Sequence, residues 1–195
     1  MTKMNLAPVV FGVVLACWLA FVLTFLLRQK PPVTTDRKRD PNSIFGIVLQ
    51  ALSLLIVWAV RRPLFTSFVP SSNAISGLFE IIAIVSAIAS ILLIIASVRT
   101  LGKEWSLTAR VVTGHRLATK GPYNFVRHPI YTAMLGMLLA NGIAFSYWPA
   151  LLVAIAVYLA GTLNRIRSEE RLLRETFGAE FEAYAARVPA LLPGL

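Results

Sequence analysis

The sequence has few charged residues and almost no cysteine, and each shortage excludes a class of protein. Charged side chains make up 14% of the 195 residues, against about a quarter in soluble globular domains. A single cysteine, Cys17, excludes an extracellular scaffold held by disulfides. Acidic residues number only 9 against 19 basic ones, which gives a formal net charge of +10. Hydrophobic residues reach 57% and the mean hydropathy is +0.71, so we interpret the chain as an integral membrane protein rather than a basic nucleic-acid-binding protein.

Long apolar stretches predict an all-α membrane protein with five transmembrane helices. A helix needs about 20 mainly apolar residues to cross a bilayer, and residues 6–27, 44–60 and 75–98 meet or approach this length. A fourth stretch, 129–164, has 36 residues without a charge, which is too long for one crossing. We expect it to turn back at residues 146–149, because proline loses a helix donor and aromatic residues favour the headgroup level. The fifth span is then short.

The basic residues predict an orientation in the membrane. Sixteen of the 19 lie in the first loop, the third loop and the C-terminal tail, and only Lys3, Arg61 and Arg62 lie on the other side. The positive-inside rule then places the third loop and the tail in the cytoplasm and the N-terminus outside, most simply in a prokaryotic cytoplasmic membrane. A cleaved lipoprotein signal ending at Cys17 is the competing interpretation of the first span. The apolar run continues ten residues past this cysteine, which favours an uncleaved span with Cys17 buried.

Two cytoplasmic segments, 99–131 and 165–189, hold nearly all the reactive side chains. The last hairpin separates them in sequence and returns the chain to the same face, so the two segments can meet. The first contains His115 and His128, with Pro129 in the first turn of the fourth span, where proline fits well. Two histidines 13 positions apart, without nearby cysteine or carboxylate, make a weak metal site, and we predict no metal.

The second segment carries an apolar stripe and a charged pair. Five apolar residues at helical spacing predict an amphipathic helix pair that packs under the bundle and bends at Gly178: Leu173, Phe177, Phe181, Tyr184 and Val188. Arg165 and Glu169 lie four positions apart and share a helix face. Arginine before glutamate is the weaker order for a stabilising surface pair, so Glu169 is a candidate to hold a cationic or hydroxyl-rich ligand and Arg165 a carboxylate or phosphate. A solvated charged face is the alternative.

Several separated motifs occur in an order that resembles the isoprenylcysteine carboxyl methyltransferase family, including its small prokaryotic members and the related phospholipid methyltransferases. These motifs are Gly121-Pro122-Tyr123, Arg127-His128-Pro129-Ile130-Tyr131, Arg165, Glu169-Glu170, Phe177-Gly178, Tyr184 and Val188-Pro189. They predict a methyltransferase core at 99–195, with a cytoplasmic cofactor-binding loop, a transmembrane hairpin and C-terminal amphipathic helices. Residues 1–98 resemble the family only as an N-terminal membrane region of three spans.

The resemblance implies S-adenosylmethionine as methyl donor and a lipidic or prenylated small molecule as acceptor, among membrane lipids and without nucleic acid. By motif position, the cofactor site would be lined by His115, Arg116, Leu117, Ala118, Tyr123, His128, Pro129, Ile130, Tyr131 and Glu169. Arg165 would face the acceptor, as the candidate catalytic and substrate-binding residue. Methyl transfer to an anion needs alignment and exclusion of water. An amine or thiol acceptor would also need a base, either Glu169 or a histidine.

Other functions stay open at this stage. Membrane sterol reductases share an Arg-His-Pro-x-Tyr element and an acidic C-terminal helix, but they use NADPH. A transporter or scaffold would place ionisable groups at mid-membrane, whereas we expect Glu80, Gln50 and Asn141 to form hydrogen bonds between helices. The 11 glycines contain no G-x-G-x-x-G, so a Rossmann-type soluble methyltransferase is unsupported. A prenylcysteine carboxylate, a phospholipid amine and a small hydrophobic thiol or acid all fit as acceptors.

Overall fold

The computed structural model describes residues 7–27, 36–40, 43–69, 73–102, 110–112 and 117–192. Six α-helices lie in this part of the chain: α1 (Ala7–Leu26), α2 (Ser43–Ala59), α3 (Asn73–Leu101), α4 (Pro129–Phe145), α5 (Trp148–Phe177) and α6 (Ala179–Ala185). Two short antiparallel strands, β1 (Asp36–Arg39) and β2 (Arg110–Val112), and a 3-10 turn at Gly121–Asn124 complete it. The chain turns back between α4 and α5 at the predicted place.

Three helices, α1, α3 and α5, are long and apolar enough to cross a membrane. Helices α2 and α4 are also apolar, but each has 17 residues, or about 25 Å at 1.5 Å per residue, which is near the lower limit for a span. Large aliphatic side chains are exposed on the bundle surface, such as Leu19 at 60%, Leu55 at 62% and Leu92 at 61%. An apolar surface of this kind suits contact with lipid rather than water, which agrees with the predicted membrane protein.

The long helices run in alternating directions through one bundle. Phe11 near the start of α1 contacts the ring of Phe145 at the end of α4, with ring centroids 5.3 Å apart. The Arg62 amide, just after α2, donates to the Phe145 carbonyl at 2.8 Å. We call this end of the bundle the far end. At the opposite end, the last turns of α3 pack against the start of α4 around Val98 and Ile130. We call that end the site end.

Polar side chains join helices inside the apolar core. Trp18 of α1 donates from Nε1 to Asn141 of α4 at 2.8 Å, and Gln50 of α2 donates to the Thr162 hydroxyl of α5 at 2.9 Å. Asn141 and Gln50 therefore form the interhelical hydrogen bonds that we predicted. Glu80 instead lies on the wall of a cleft at the far end. Cys17 is buried, as expected.

Helix α5 does not stop where its apolar part ends. Residues 148–164 form the apolar part, and residues 165–177 continue it as a polar extension without a break. The predicted amphipathic helix pair therefore begins as a direct continuation of the fifth span. The extension lacks glycine and proline and is rich in Arg, Glu and Leu, which favour helix. The helix ends only at Gly178, whose positive φ of 51° is a backbone conformation that glycine adopts readily.

The predicted apolar stripe is confirmed as packing. Phe181, Tyr184 and Val188 are buried together, with Leu173 and Phe177 against them. The two-stranded sheet was not predicted from the sequence, because strands of three and four residues are too short to show a pattern of alternation. Asp36 pairs with Val112 and Arg39 with Arg110. These short strands depart from the expected all-α fold.

Candidate active site

The His128 imidazole lies between two carboxylates of the polar extension. Its Nδ1 is 3.4 Å from Oε2 of Glu169, and its Nε2 is 3.2 Å from Oε1 of Glu170. His128 immediately precedes α4, and Pro129 occupies the first turn of that helix. The two polar segments that are remote in sequence therefore meet at the site end, as predicted.

Glu169 also accepts hydrogen bonds from two other side chains. The Tyr131 hydroxyl donates to its Oε1, and Nη2 of Arg165 lies 3.5 Å from the same oxygen. The Tyr131 ring stacks on the His128 ring, with the two centroids 5.6 Å apart. The Arg165 guanidinium lies 5.0 Å from the centroid of the Tyr131 ring. Tyr131 thus touches all three charged residues and fixes their relative positions.

Glu170 is held by arginines as well as by His128. Nε of Arg127 lies 2.9 Å from Oε1 of Glu170, and Nη2 of Arg174 lies 3.2 Å from Oε2. Arg127 also donates to the carbonyls of Ala185, the last residue of α6, and of Val188 just after it. The side chain of Glu170 is 7% exposed, against 25% for Glu169. We infer that Glu170 ties the C-terminal segment to the site, whereas Glu169 retains access to a ligand.

Protonation of this cluster follows from its geometry. Burial lowers the pKa of His128, but its hydrogen bonds to Glu169 and Glu170 outweigh burial and raise the pKa above its usual value. Burial raises the pKa of Glu170, yet His128 and Arg127 bring it down to about 2. A neutral imidazole has only one N–H donor, whereas both ring nitrogens of His128 face carboxylate oxygens. This geometry favours the doubly protonated imidazolium form of the ring.

Arg165 is positioned by α2, which lies in the N-terminal half of the chain. Its Nη1 donates to Oε1 of Gln50 at 3.2 Å. Helices α2 and α5 approach so closely at Gly46 and Gly161 that a Cβ atom on Gly46 would lie 2.6 Å from the Gly161 carbonyl oxygen. It would also collide with the aliphatic part of the Arg165 side chain. The side chain of Arg165 is 6% exposed. The two glycines make room for a buried guanidinium where α5 leaves the apolar bundle.

The predicted site residues fall into three groups. His128, Tyr131, Arg165 and Glu169 are in mutual contact, as described above. A second set lies beside this cluster without joining it: Leu117 packs on the Phe181 and Tyr184 cluster, Tyr123 accepts a 2.6 Å hydrogen bond from Tyr184 at its carbonyl, and Pro129 is buried. Ala118 is half-buried, and Ile130 packs against Ile94 and Val98 of α3 instead of facing Glu169. His115 and Arg116 lie outside the described residues.

Several residues of the site were not singled out from the sequence. Arg127 and Glu170 were quoted only as parts of motifs, yet they flank His128 and Glu169 and form a second ion pair beside the first. The sequence signal for this ion pair was the presence of two adjacent basic residues, Arg127 and His128, in one segment and two adjacent acidic residues, Glu169 and Glu170, in the other. Gln50 was predicted to bond between helices, but its contact with Arg165 joins positions 115 apart and leaves no local pattern.

The sequence profile of the isoprenylcysteine carboxyl methyltransferase family matches residues 81–175. Residues 81–175 belong to this methyltransferase family. The matched segment runs from α3 into the polar extension of α5, so it contains the whole cluster around His128, Glu169 and Glu170. Gly46 and Gln50 lie outside it.

Individual relatives of the family match a similar part of the chain. The cobalt-zinc-cadmium resistance protein CzcN of Cupriavidus metallidurans is 36% identical over 103 residues, 51% of this chain and 46% of that protein. Protein-S-isoprenylcysteine O-methyltransferase B of Arabidopsis thaliana is 34% identical over 85 residues, 40% of each chain. A probable protein-S-isoprenylcysteine O-methyltransferase of Oryza sativa subsp. indica is 33% identical over 100 residues, 50% of this chain and 52% of that protein. The chain thus spans about half the length of these relatives.

Proposed function

We propose that this protein is a membrane-embedded S-adenosylmethionine-dependent methyltransferase that acts on a lipidic acceptor, a carboxylate of isoprenylcysteine type. The observation that carries the proposal is the contact between His128, Tyr131, Arg165 and Glu169 at the end of a lipid-facing bundle. The cluster lies within the segment that matches the methyltransferase family. The plant relatives are named as isoprenylcysteine O-methyltransferases.

The charged and polar side chains of the site suit S-adenosylmethionine. S-adenosylmethionine carries a cationic ammonium and ribose hydroxyls, and when bound it supplies an electrophilic methyl group. Glu169 is an anion with a quarter of its side chain exposed, and a carboxylate has about four acceptor positions. Tyr131, His128 and Arg165 use only some of them. Glu169 would therefore hold the ammonium or the ribose, with Tyr131 and His128 fixing its orientation.

Arg165 is suited to hold the acceptor. Its guanidinium lies where the apolar part of α5 ends, so a lipidic molecule lying among the membrane-facing helices would present its polar head at this level. Arginine has five N–H donors in a planar arrangement that matches a carboxylate. A charged hydrogen bond of this kind contributes about 1.5 to 3 kcal/mol, and holding the oxygen in line with the methyl carbon lowers the entropic barrier to transfer.

The protonation of the site favours an acceptor that is already an anion. An amine or thiol would need a general base. The imidazolium form of His128 between Glu169 and Glu170 has no free nitrogen to accept a proton. Burial raises the pKa of Glu169, but its contacts with His128 and Arg165 bring the pKa below its usual value, and the pKa of Glu170 is about 2, so both carboxylates are weak bases. A carboxylate acceptor needs no proton removed, so this site can serve it by orientation and exclusion of water alone.

The proposal includes five spans, with the N-terminus outside and the site end in the cytoplasm of a prokaryotic cell. The alternating directions of α1 to α5 support five passes through one bundle. The basic residues of the loops and tail support the orientation. A cytoplasmic site end would give the cluster access to a water-soluble cofactor.

Isothermal titration of the purified full chain in detergent tests the cofactor. We expect S-adenosylhomocysteine to bind saturably and NADPH not to bind. Binding of NADPH alone would overturn the proposal in favour of a reductase. Glu169→Gln should weaken S-adenosylhomocysteine binding, because it removes the charge that attracts the ammonium. An unchanged Kd would remove Glu169 from the cofactor site.

Methyl transfer in membranes tests the acceptor. Membranes would be incubated with radiolabelled S-adenosylmethionine and a panel of prenylcysteine, phospholipid amine and hydrophobic thiol acceptors. We expect label in a base-labile ester of the prenylcysteine. Arg165→Ala should reduce acceptor use more than donor binding, whereas Arg167→Ala, an exposed arginine on the same helix, should change neither. Equal loss of donor and acceptor binding in Arg165→Ala would contradict the division of roles.

A further inference from the structure

A second charged cluster lies at the far end of the bundle, away from the proposed methyl-transfer site. Arg62, in the loop after α2, is 8% exposed. Its Nη2 donates to the Ile143 carbonyl at 2.6 Å, and its guanidinium lies 5.3 Å from the centroid of the Phe68 ring. Within the part of the chain that the structure describes, its Nε and Nη1 have no hydrogen-bond partner.

The Arg62 side chain cannot easily turn away from this position. Its backbone amide donates to the Phe145 carbonyl at 2.8 Å, and the neighbouring Arg61 pairs with Ser146. The Ser146 hydroxyl donates to the Val60 carbonyl at 2.8 Å. Burial lowers the pKa of Arg62, which reflects the cost of a charged group with unmade hydrogen bonds. A buried cation with two free donors is stabilised strongly by an anion.

Arg62 lines a small, shallow cleft that is partly open at the bundle surface. The polar residues of the wall are Arg62, Thr66 and Glu80, and the aromatic ones include Phe11 and Phe65. Because Arg62 and Glu80 line the same cleft, it suits a ligand that carries both an anionic and a cationic group. Phe65, on the wall of the cleft, has a φ of 62°, which is rare outside glycine, so this part of the wall has a strained backbone.

The surroundings of the cleft place it at the level of lipid headgroups. Tyr147 and Trp148 begin α5 at this end and are 47% and 54% exposed. Leu64 on the loop is 59% exposed. Exposed aromatic residues beside arginine are typical of the membrane interface. A soluble ion would leave this apolar rim uncovered, whereas the acyl chains of a lipid would pack against it.

From these observations we propose that the Arg62 cleft binds the zwitterionic headgroup of a phospholipid, with phosphate on Arg62 and ammonium on Glu80, as in phosphatidylethanolamine. The site is separate from the methyl-transfer site. Helix α4 runs from His128 to Phe145 between them, about 25 Å along its axis. The bound lipid therefore supports the far end of the bundle and is not the acceptor.

Native mass spectrometry of the delipidated full chain tests the site. The protein would be incubated with equal amounts of phosphatidylethanolamine and phosphatidylglycerol that have the same acyl chains. We expect the ethanolamine lipid to be retained about fivefold better, and Glu80→Gln to abolish this preference. Arg62→Gln should lower retention of both lipids, and Arg61→Gln, the exposed neighbour, should behave as wild type.

Three results would overturn the proposal. They are equal retention of the two lipids by the wild type, wild-type preference in Glu80→Gln, and wild-type retention in a folded Arg62→Gln. Soluble phosphoethanolamine that competes as well as the lipid would overturn the assignment to a lipid. If Arg62→Gln does not fold, Glu80→Gln still decides the question, because Glu80 is only half-buried. Thermal melting of each variant in detergent checks the fold.

Discussion

Glu169 and Glu170 are successive residues of one helix, yet both reach the same imidazole, one at each nitrogen. Successive side chains on a helix point about 100° apart, so His128 occupies the angle between them. The imidazolium thereby joins the start of α4 to the polar extension of α5. Its charge compensates one carboxylate in a buried place, and Arg127 compensates the other. The junction depends on the proton that His128 carries.

Stabilisation by His128 should fade at alkaline pH. Because the folded-state pKa of His128 lies above its usual value of about 6.5, its contribution is fully present below about pH 6.5 and is lost as the pH rises through the folded-state pKa. We expect the Tm difference between wild type and His128→Gln to be largest at about pH 6 and to shrink as the pH is raised. Thermal denaturation in one detergent measures it. A difference that stays constant as the pH is raised would show that His128 does not titrate in the folded protein.

Gln50 should act as a positioning residue for Arg165. Gln50→Leu removes the acceptor of the 3.2 Å hydrogen bond from Nη1, and losing a bond to a charged group costs about 1.5 kcal/mol or more. We expect roughly a tenfold loss in kcat/KM for the acceptor, with donor binding unchanged. Asn141→Leu is the matched control, because it also removes one buried interhelical bond, but away from Arg165. If both variants lose activity equally, Gln50 contributes to the stability of the bundle and not to the position of Arg165.

At the scale of elements, the contact between α2 and α5 depends on two glycines. A methyl group on Gly46 would collide with the Gly161 backbone at 2.6 Å, and backbone cannot yield as a flexible side chain can. Gly46→Ala should therefore lower the Tm and reduce acceptor use through Arg165. Gly12→Ala on α1 is the control, since nothing lies within 4 Å of its Cβ position. There alanine should be neutral or stabilise by up to about 1 kcal/mol. A Gly46→Ala variant with wild-type Tm would mean that the helices separate without cost.

The apolar spans could be predicted because length and hydropathy are local properties. The bend at Gly178 and the turn before Pro149 were predictable for the same reason, since each depends on one residue type. The crossing of α2 and α5 was not, because Gly46 and Gly161 are far apart in sequence and both look like ordinary small residues in apolar runs. The continuity of α5 into its polar extension was not predicted, because hydropathy marks only where the apolar part ends. The backbone responds instead to helix propensity, which charged residues satisfy.

At the scale of the molecule, the convergence of the two polar segments was predictable from topology. A hairpin formed by α4 and α5 must return the chain to its starting face, which brings His128 near Glu169 whatever the packing details. Which partner each carboxylate takes was not predictable. Glu169 and Glu170 have the same chemistry, and only the rotation of α5 decides that Glu170 is enclosed and Glu169 is accessible. Nor was it predictable that Ile130 of α4 packs on α3.

The number of spans depends on the two 17-residue helices, and site-directed labelling can count them. In a Cys17→Ala background, Ser67→Cys and Ala183→Cys each place an exposed thiol outside the helices' apolar parts, at the far end and the site end respectively. Helices α3, α4 and α5 lie between these positions, so three crossings place them on opposite sides of the membrane. In intact cells, a membrane-impermeant maleimide should label Ser67→Cys at once and Ala183→Cys only after permeabilisation. Labelling of both in intact cells would mean that α4 does not cross. A tag before α1 should behave like Ser67→Cys if α2 crosses, and the reverse pattern at all three positions would invert the orientation.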